Sequence, residues 1–328
     1  MAANIQETIL SELKTLYDAD IARKKPFQAR AYATAIQSLQ SLQKPITSIK
    51  DVEGLKGVGE KIKSKIQEIL ETGKLASAEE ARRSLPLESL VSLQTVHGIG
   101  PTKANDLIKK GITTIEQLRV ASEADQKLLT ATQKLGLRYR ADSQLRIPRS
   151  EMQKHEAILL ASFDDAFEAT VVGSYRRGAE SSGDIDVLLT LPDTVSAKDQ
   201  ASLFLDMIGL MKDSMYIVDT LSSGPTKFLG YCRLDTNHPV RRLDLLMIPK
   251  SEYACAILYF TGSQQFNVGF RSYALEKGYT LNEHRLQATR EGVPPVPPFA
   301  NEKDIFDFLG LKYVEPSLRV DGRDVVSV

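Results

Sequence analysis

Three aspartates in this chain sit where the pattern calls for strands. Asp184 and Asp186 stand two apart in Ser182-Gly183-Asp184-Ile185-Asp186-Val187-Leu188-Leu189, and Asp244 is the one acid in Leu243-Asp244-Leu245-Leu246-Met247-Ile248. Residues two apart on a strand share a face. Both carboxylates of the first stretch therefore point one way, with Ile185 and Val187 pointing the other. Two carboxylates on one face of an apolar strand repel each other and lose solvation, and a cation between them relieves both costs. Hard divalent ions such as Mg²⁺ take oxygen ligands and bind carboxylates together with substrate phosphates. Asp244, on a strand that could pair beside the first, supplies the third acid of a two-metal site. Such a clamp stabilises the attacking and leaving oxygens of an in-line phosphoryl displacement.

Just upstream, Gly173-Ser174-Tyr175-Arg176-Arg177-Gly178 reads as a phosphate cradle. Glycine lets the backbone turn and approach a ligand closely. Ser174 and Ser182 offer hydroxyls, and Arg177 offers a planar fork suited to phosphate. An Asp-x-Asp before a hydrophobic run is as readily a strand cap as a metal site. The cradle before it and the isolated strand aspartate after it favour chemistry.

The elements that must hold these residues follow from periodicity. The strand Glu168 to Val172 leads into the cradle, and further strands are expected at Tyr216 to Leu221, Lys227 to Leu234 and Arg242 to Ile248. Helices are expected from Ser150 to Phe167 and from Gln200 to Asp213. Several strands with two covering helices and no βαβ rhythm predict an α+β palm rather than a doubly wound sheet. Downstream, Tyr253 to Phe260 and Phe266 to Gly278 read as helices, Asn301 caps a terminal helix, and Ser317 to Val328 forms a tail.

The first 145 residues read as helical. Ile5, Ile9, Leu13 and Leu16 recur at helical spacing in a helix beginning near Met1. After the break at Pro26, a second helix turns Phe27, Tyr32, Ile36, Leu39 and Leu42 inward, and a later one runs from Glu116 to Leu137. Two stretches repeat one grammar: Leu55-Lys56-Gly57-Val58-Gly59 before the helix at Glu60, and Val96-His97-Gly98-Ile99-Gly100 before the helix at Pro101. Apolar-x-Gly-apolar-Gly ahead of a helix is the helix-hairpin-helix pattern. Gly57, Gly59, Gly98 and Gly100 let a tight turn present N–H groups and a helix N-terminus to a nucleic-acid phosphate.

Lys61 and Lys65, four apart, share the helix face opposite the isoleucine stripe. Lys61 lies in the first turn, where the dipole favours a phosphate. A neighbouring cation and partial burial would free the Lys65 amine for Schiff-base chemistry on a sugar aldehyde. The plainer reading is a basic DNA-facing helix.

The strings from Gly173 to Leu189, Leu258-Tyr259-Phe260-Thr261-Gly262-Ser263 and Ala274-Leu275-Glu276-Lys277-Gly278 resemble the beta-like family X DNA polymerases, within the nucleotidyltransferase superfamily. The resemblance runs from the first hairpin to about Arg319. It implies a lyase domain over residues 1–85, a DNA-binding subdomain over 86–145, a palm over 146–252 and a nucleotide-selection subdomain over 253–328. It implies gap-filling, template-directed DNA synthesis, with Asp184, Asp186 and Asp244 on two Mg²⁺ ions that Mn²⁺ can replace. Arg146, Gly173, Ser174, Arg177, Ser182 and Gly183 would hold the dNTP triphosphate. Tyr259, Phe260 and Gly262 would lie along its sugar, and Asn267 would reach the base. Arg271 would meet the template, and Lys227 and Arg242 the DNA near the primer. Lys65 would be the 5′-deoxyribose-phosphate lyase nucleophile, with Lys61 and Lys74 on phosphate. Backbone carbonyls of Glu53, Leu55 and Val58, and of Gln94, Val96 and Ile99, would hold Na⁺ or K⁺. The chain departs from the beta-like pattern at Gln264, Val268, Leu246 and His284, where an acid, a lysine, an arginine and a tyrosine are usual. Arg30 stands near the place of a supporting tyrosine in the lyase site.

The composition fits this reading. The chain has 328 residues, 42% hydrophobic and 26% charged, the balance of a soluble globular protein of several domains. No apolar run approaches a membrane span. Zero net charge hides 23 Lys and Arg against 17 acids in residues 1–146, and 19 against 25 in the remainder. That is the asymmetry of a phosphate-binding arm on a metal-binding core. Cys232 and Cys255 lack disulfide or metal-site spacing and read as buried thiols of an intracellular protein, nuclear in a eukaryotic host and possible in the cytoplasm for a viral one. A monomer acting on gapped or nicked DNA is expected, without a partner-binding domain ahead of the lyase region. The rivals are another nucleotidyltransferase, such as an RNA tailing enzyme, a polymerase without efficient lyase activity, and a DNA-end-binding scaffold with a dead palm. Intact aspartates count against the last.

Overall fold

The computed structural model describes residues 2–23, 25–40, 42, 45–84 and 86–328, so the expected helix start at Met1 and the expected domain end at residue 85 lie outside the described residues. The chain divides into two compact units, 1–140 and 141–328.

The first unit is helical. The helices Ala2–Ala22, Pro26–Gln40, Glu60–Thr72 and Ala76–Ser84 close on a core that includes Ile9, Leu13, Leu39, Ile66 and Ile69. Leu87–Gln94, Pro101–Lys109, Ile115–Ala124 and Ala131–Arg138 enclose a second cluster around Leu93, Val96, Leu107 and Leu118. Two expectations are corrected. The helix expected from Glu116 to Leu137 is two helices, because Thr114 and Thr130 each cap a new start, with Gln117 and Gln133 completing capping boxes. Phe27 is not turned inward: it lies in the first turn of its helix, ahead of the packed stripe, and is 87% exposed.

The second unit is built on a five-stranded sheet in the order Glu168–Val171, Ile185–Thr190, Arg241–Met247, Lys227–Cys232, Ile217–Ser223. Only the pair joining Ile185–Thr190 to Arg241–Met247 is parallel. One face packs Val187, Leu189, Leu243 and Leu245 against Leu159 and Phe204, from the helices Arg149–Ser162 and Ala197–Asp213. On the other face Leu188 meets Tyr253, Ala256 and Ile257 of the helix Tyr253–Thr261. Burial on both faces explains why the Asp186 strand reads as an almost continuous apolar run. The expected α+β class is what is observed.

The helix expected to reach Phe167 ends at Ser162, where Phe163 turns extended and leads toward the next strand. A third cluster, with Phe266, Phe270, Phe306 and Leu309, joins the helices Gln264–Glu276 and Glu302–Leu309. The tail is fixed: Leu311 bridges Ser327, and Arg319 and Asp321 are buried. Cys232 and Cys255 are both free and buried. Among the described residues, no helix is long and apolar enough to cross a membrane.

Candidate active site

Parallel pairing puts Asp186 directly opposite Asp244, with Ile185 opposite Leu243 and Val187 opposite Leu245. The apolar neighbours fill the core while the two carboxylates share the other face, half-buried. Asp184 lies one residue ahead of its strand and is more open to solvent. Withdrawal from water pushes the Asp186 carboxyl up to about 7, and the negative charges of Asp184 and Asp244 add to it. Asp184 is raised as well, by loss of solvation first and by Asp244 second, although its side chain keeps a path to water. Arg242 opposes both shifts, and its Nη2 donates to Asp244 Oδ1 at 2.8 Å.

Among the described residues, no three His, Cys, Asp or Glu side chains already converge as a metal-ligand cluster. The donor set nevertheless fits a hard divalent cation: three carboxylates, two in register on adjacent strands, with Asp186 disfavoured as a bare charge by its two neighbours.

The cradle stands against this pair. Gly173 takes φ +66° at the start of the one-turn helix Gly173–Arg176, and a Cβ there would lie 3.2 Å from Asp186 Oδ2. The phosphate-cradle backbone therefore runs directly beside the carboxylate. Ser174 Oγ donates to Ser182 Oγ at 3.0 Å, bringing together two hydroxyls eight residues apart. Arg146 Nε donates to Ser181 Oγ at 3.1 Å, and a Cβ on Gly183 would stand 3.3 Å from Arg146 Nη1. Arg177 Nη1 donates to the Thr261 carbonyl at 2.6 Å, and its burial holds the guanidinium below its usual value.

The residues expected to meet a sugar and a base come from two helices. Tyr259 and Phe260 meet edge to face with ring centroids 5.2 Å apart. Asn267 Nδ2 donates to the Tyr259 carbonyl at 2.7 Å, joining the predicted base-reading residue to the predicted sugar-facing one. Arg271 is exposed one turn beyond Asn267. Lys227 is exposed at the end of its strand, opposite Leu246. His284 Nδ1 pairs with Glu252 at 2.8 Å, and Gln264 opens the helix after its cap, Ser263.

Sequence reasoning missed what holds the cradle. Arg176 donates to Thr261 Oγ1 at 2.7 Å and to both oxygens of buried Glu302, at 2.8 and 3.2 Å. Arg319, itself buried, reaches the same carboxylate at 2.9 Å. Arg149 Nη1 donates to the Tyr175 and Ala179 carbonyls. The local sequence Glu302-Lys303-Asp304-Ile305-Phe306 reads as an ordinary charged first helical turn and names no partner 126 residues away.

In the first unit the two hairpins match in detail. Gly57 and Gly98 take φ of +81° and +84°, and Gly59 and Gly100 follow as extended N-caps, both with ψ 177°. A Cβ on Gly57 would meet Thr34 Cγ2 at 2.7 Å, so that turn also needs glycine for space. The Leu55 and Val96 carbonyls each accept the turn hydrogen bond, from Val58 and Ile99, at 3.0 Å. Each carbonyl keeps a second lone pair. Lys61 is exposed and Lys65 half-buried on one helix, with Lys63 between them held by Glu60 at 3.0 Å. Lys74 follows the helix and pairs with Glu79 at 3.7 Å.

Comparison with known proteins covers both units. Residues 6–75 match a helix-hairpin-helix domain and residues 92–144 the fingers domain of DNA polymerase lambda. Residues 146–250 match the DNA polymerase beta palm and residues 256–320 the DNA polymerase beta thumb. The chain is 34% identical to DNA polymerase lambda of Rattus norvegicus over 335 positions, covering 97% of this chain and 57% of that protein. It is 31% identical to DNA polymerase lambda of Arabidopsis thaliana, covering 96% of this chain and 61% of that protein. The chain thus spans about three fifths of the length of these curated relatives.

Proposed function

Because the chain belongs to the family X DNA polymerases, we propose that it fills short gaps in DNA, extending a primer 3′-hydroxyl with dNTPs under template direction. The observation that carries this is the side-by-side register of Asp186 and Asp244 under the Ser174–Ser182 cradle. Bound to Asp184, Asp186 and Asp244, two Mg²⁺ ions, or Mn²⁺ in their place, would supply charge neutralisation at the attacking and leaving oxygens. Arg146, Gly173, Ser174, Arg177, Ser182 and Gly183 bind the triphosphate in this reading, with Arg177 already oriented by the Thr261 carbonyl. In this reading Asp244 helps activate the primer 3′-hydroxyl once Arg242, now bonded to it, is drawn to DNA. Tyr259, Phe260, Gly262 and Asn267 hold the nucleoside, Arg271 the template and Lys227 the primer strand.

The hairpins carry the DNA backbone on Gly57, Gly59, Gly98 and Gly100, with Na⁺ or K⁺ on the carbonyls of Glu53, Leu55, Val58, Gln94, Val96 and Ile99. Exposed Phe27 offers a ring for base stacking on the same unit. A 5′-deoxyribose-phosphate lyase site on Lys65, flanked by Lys61 and Lys74, belongs to the same proposal, as do a monomeric state and residence where the DNA is. The domain limits at 85/86, 145/146 and 252/253 remain part of the reading.

The test is incorporation on a one-nucleotide gap with Mg²⁺. Asp244→Ala should lower kcat by at least a thousandfold at unchanged DNA affinity. Wild-type incorporation by that variant would sink the two-metal assignment.

A further inference from the structure

Gly269 lies in the middle of the helix Gln264–Glu276, where glycine is disfavoured relative to alanine unless something needs the space. Something does. A Cβ there would stand 2.4 Å from Gly322 Cα and 3.2 Å from the Gly322 carbonyl oxygen. The reverse substitution is milder, since a Cβ on Gly322 would stand 3.2 Å from Gly269 Cα. The helix and the tail therefore cross backbone on backbone, at a place only two glycines allow. The tail is pinned on both sides of the crossing. Before it, Arg319 is buried against the Phe266, Phe306 and Tyr313 rings and bonded to Glu302. After it, Lys312 N–H donates to the Val326 carbonyl, and Leu311 bridges Ser327. The crossing turn is braced internally, Val320 and Asp321 N–H groups both donating to Asp324. A second tie reaches the helix start: Ser263 Oγ accepts from Phe266 N–H as the N-cap and donates to the Val320 carbonyl at 2.5 Å.

We infer that the tail segment 320–325 is a strap that fixes the axial position of the helix carrying Asn267 and Arg271, and that Gly269 and Gly322 are positioning residues for nucleotide insertion. The functional half rests on the reading of that helix as nucleotide-selecting. Phe266, Phe270 and Ala274 hold the helix from its core side, and the strap holds it at Gly269. The displacement needed to relieve a 2.4 Å backbone contact at Gly269 is passed along a rigid helix to Asn267, two residues away, and to its bond with the Tyr259 carbonyl.

The test compares four proteins on a one-nucleotide gap: the full chain, Gly269→Ala, a chain ending at Val320, and the two changes combined. Gly269→Ala should lower kcat/KM for the incoming dNTP at least tenfold, mostly through KM. In the shortened chain the same substitution should change it less than twofold, because the Cβ has nothing left to strike. Equal losses in both backgrounds, or no loss in the full chain, would overturn the strap. Gly322→Ala keeps the test sharp should the shortened chain not fold: it must cost less than Gly269→Ala, and a larger cost refutes the crossing. Amide exchange over Gln264–Glu276 should quicken at least tenfold in Gly269→Ala. Unchanged protection there refutes the strap without reference to turnover. Quickened exchange in a chain that incorporates no dNTP would count against the polymerase reading alone.

Discussion

Asp186 faces Asp244 across two parallel strands, and the Asp244 carboxylate makes the charge on Asp186 harder to hold. Asp186 is raised to about 7 against an ordinary aspartate value of 3.8. Between those two values the folded protein binds a proton that the unfolded chain has released. Stability therefore falls as pH rises from about 4 through 7 in metal-free protein, and the full penalty is present above 7. Asp186→Asn should raise metal-free stability at pH 8 by on the order of 4 kcal/mol, and by little at pH 4. Urea unfolding at both pH values checks this. Equal effects at the two pH values would show that Asp186 ionises normally.

The opposite sign holds at His155. This ring is fully buried, with Nδ1 2.8 Å from the Tyr216 hydroxyl and Nε2 3.6 Å from Glu151. Burial lowers it to about 4; Glu151 pulls it back up, while Arg241 and His238 push it further down. Cys232, 4.0 Å from Nδ1, has its thiol pushed up to about 12 by the same dry surroundings. Unfolding exposes an imidazole that protonates near 6.5, so stability is fully present above that value and drains away as pH falls toward 4. The loss should reach about 2–3 kcal/mol at pH 4. His155→Met combined with Tyr216→Phe removes both polar partners together and should flatten this limb, at little cost at pH 7.5. An acid limb as steep as that of the unaltered protein would place the titrating group elsewhere.

The strands carrying Asp186 and Asp244 and the two hairpins were legible because both rest on local rules. Alternation on a strand put Asp186 and Asp244 opposite the core, and the Gly-x-Gly spacing required the left-handed turn that Gly57 and Gly98 adopt. Thr114 and Thr130, with glutamine three residues on, were also readable as helix starts, but a continuous apolar period obscured them. What was not legible is side-chain pairing across the fold. Nothing near Arg176 names Glu302 as its partner, and nothing near Gly269 names Gly322. Leu246 packs beside the Leu188 and Tyr253 cluster and Val268 is exposed, and nothing in the structure explains why they stand where an arginine and a lysine were expected.

On the helix proposed to carry lyase chemistry, Lys65 is half-buried while Lys61 is exposed one turn earlier. An amine at Lys65 that attacks the sugar aldehyde forms an imine, which borohydride reduces to a stable adduct. A DNA carrying a 5′-deoxyribose phosphate should therefore be trapped on this chain, and Lys65→Ala should reduce trapping at least tenfold. Lys61→Ala should weaken substrate binding several-fold while leaving the trapped fraction at saturation unchanged. An undiminished adduct in Lys65→Ala would move the nucleophile to another amine.

In the proposed reading, template dependence turns on the short connection between the strands Ile217–Ser223 and Lys227–Cys232. Only Gly224, Pro225 and Thr226 lie between them, and Gly224 N–H donates back to the Lys227 carbonyl at 2.8 Å. At roughly 3.3–3.6 Å per extended residue, with both ends tied to paired strands, this turn cannot stand in for a template strand. For sugar choice the proposed gate is Tyr259, whose ring meets Phe260 edge to face at 5.2 Å. The chain should extend a primer on a gapped duplex with all four dNTPs, fail on a single strand, and use ribonucleotides at least a hundredfold less efficiently. Tyr259→Gly should narrow the sugar preference by about tenfold, the scale of one lost steric contact. Gap-filling assays with paired deoxy- and ribonucleotide sets check all three. Efficient single-strand extension would mean that some other segment replaces the template, and comparable ribonucleotide use would remove Tyr259 from the role of sugar gate.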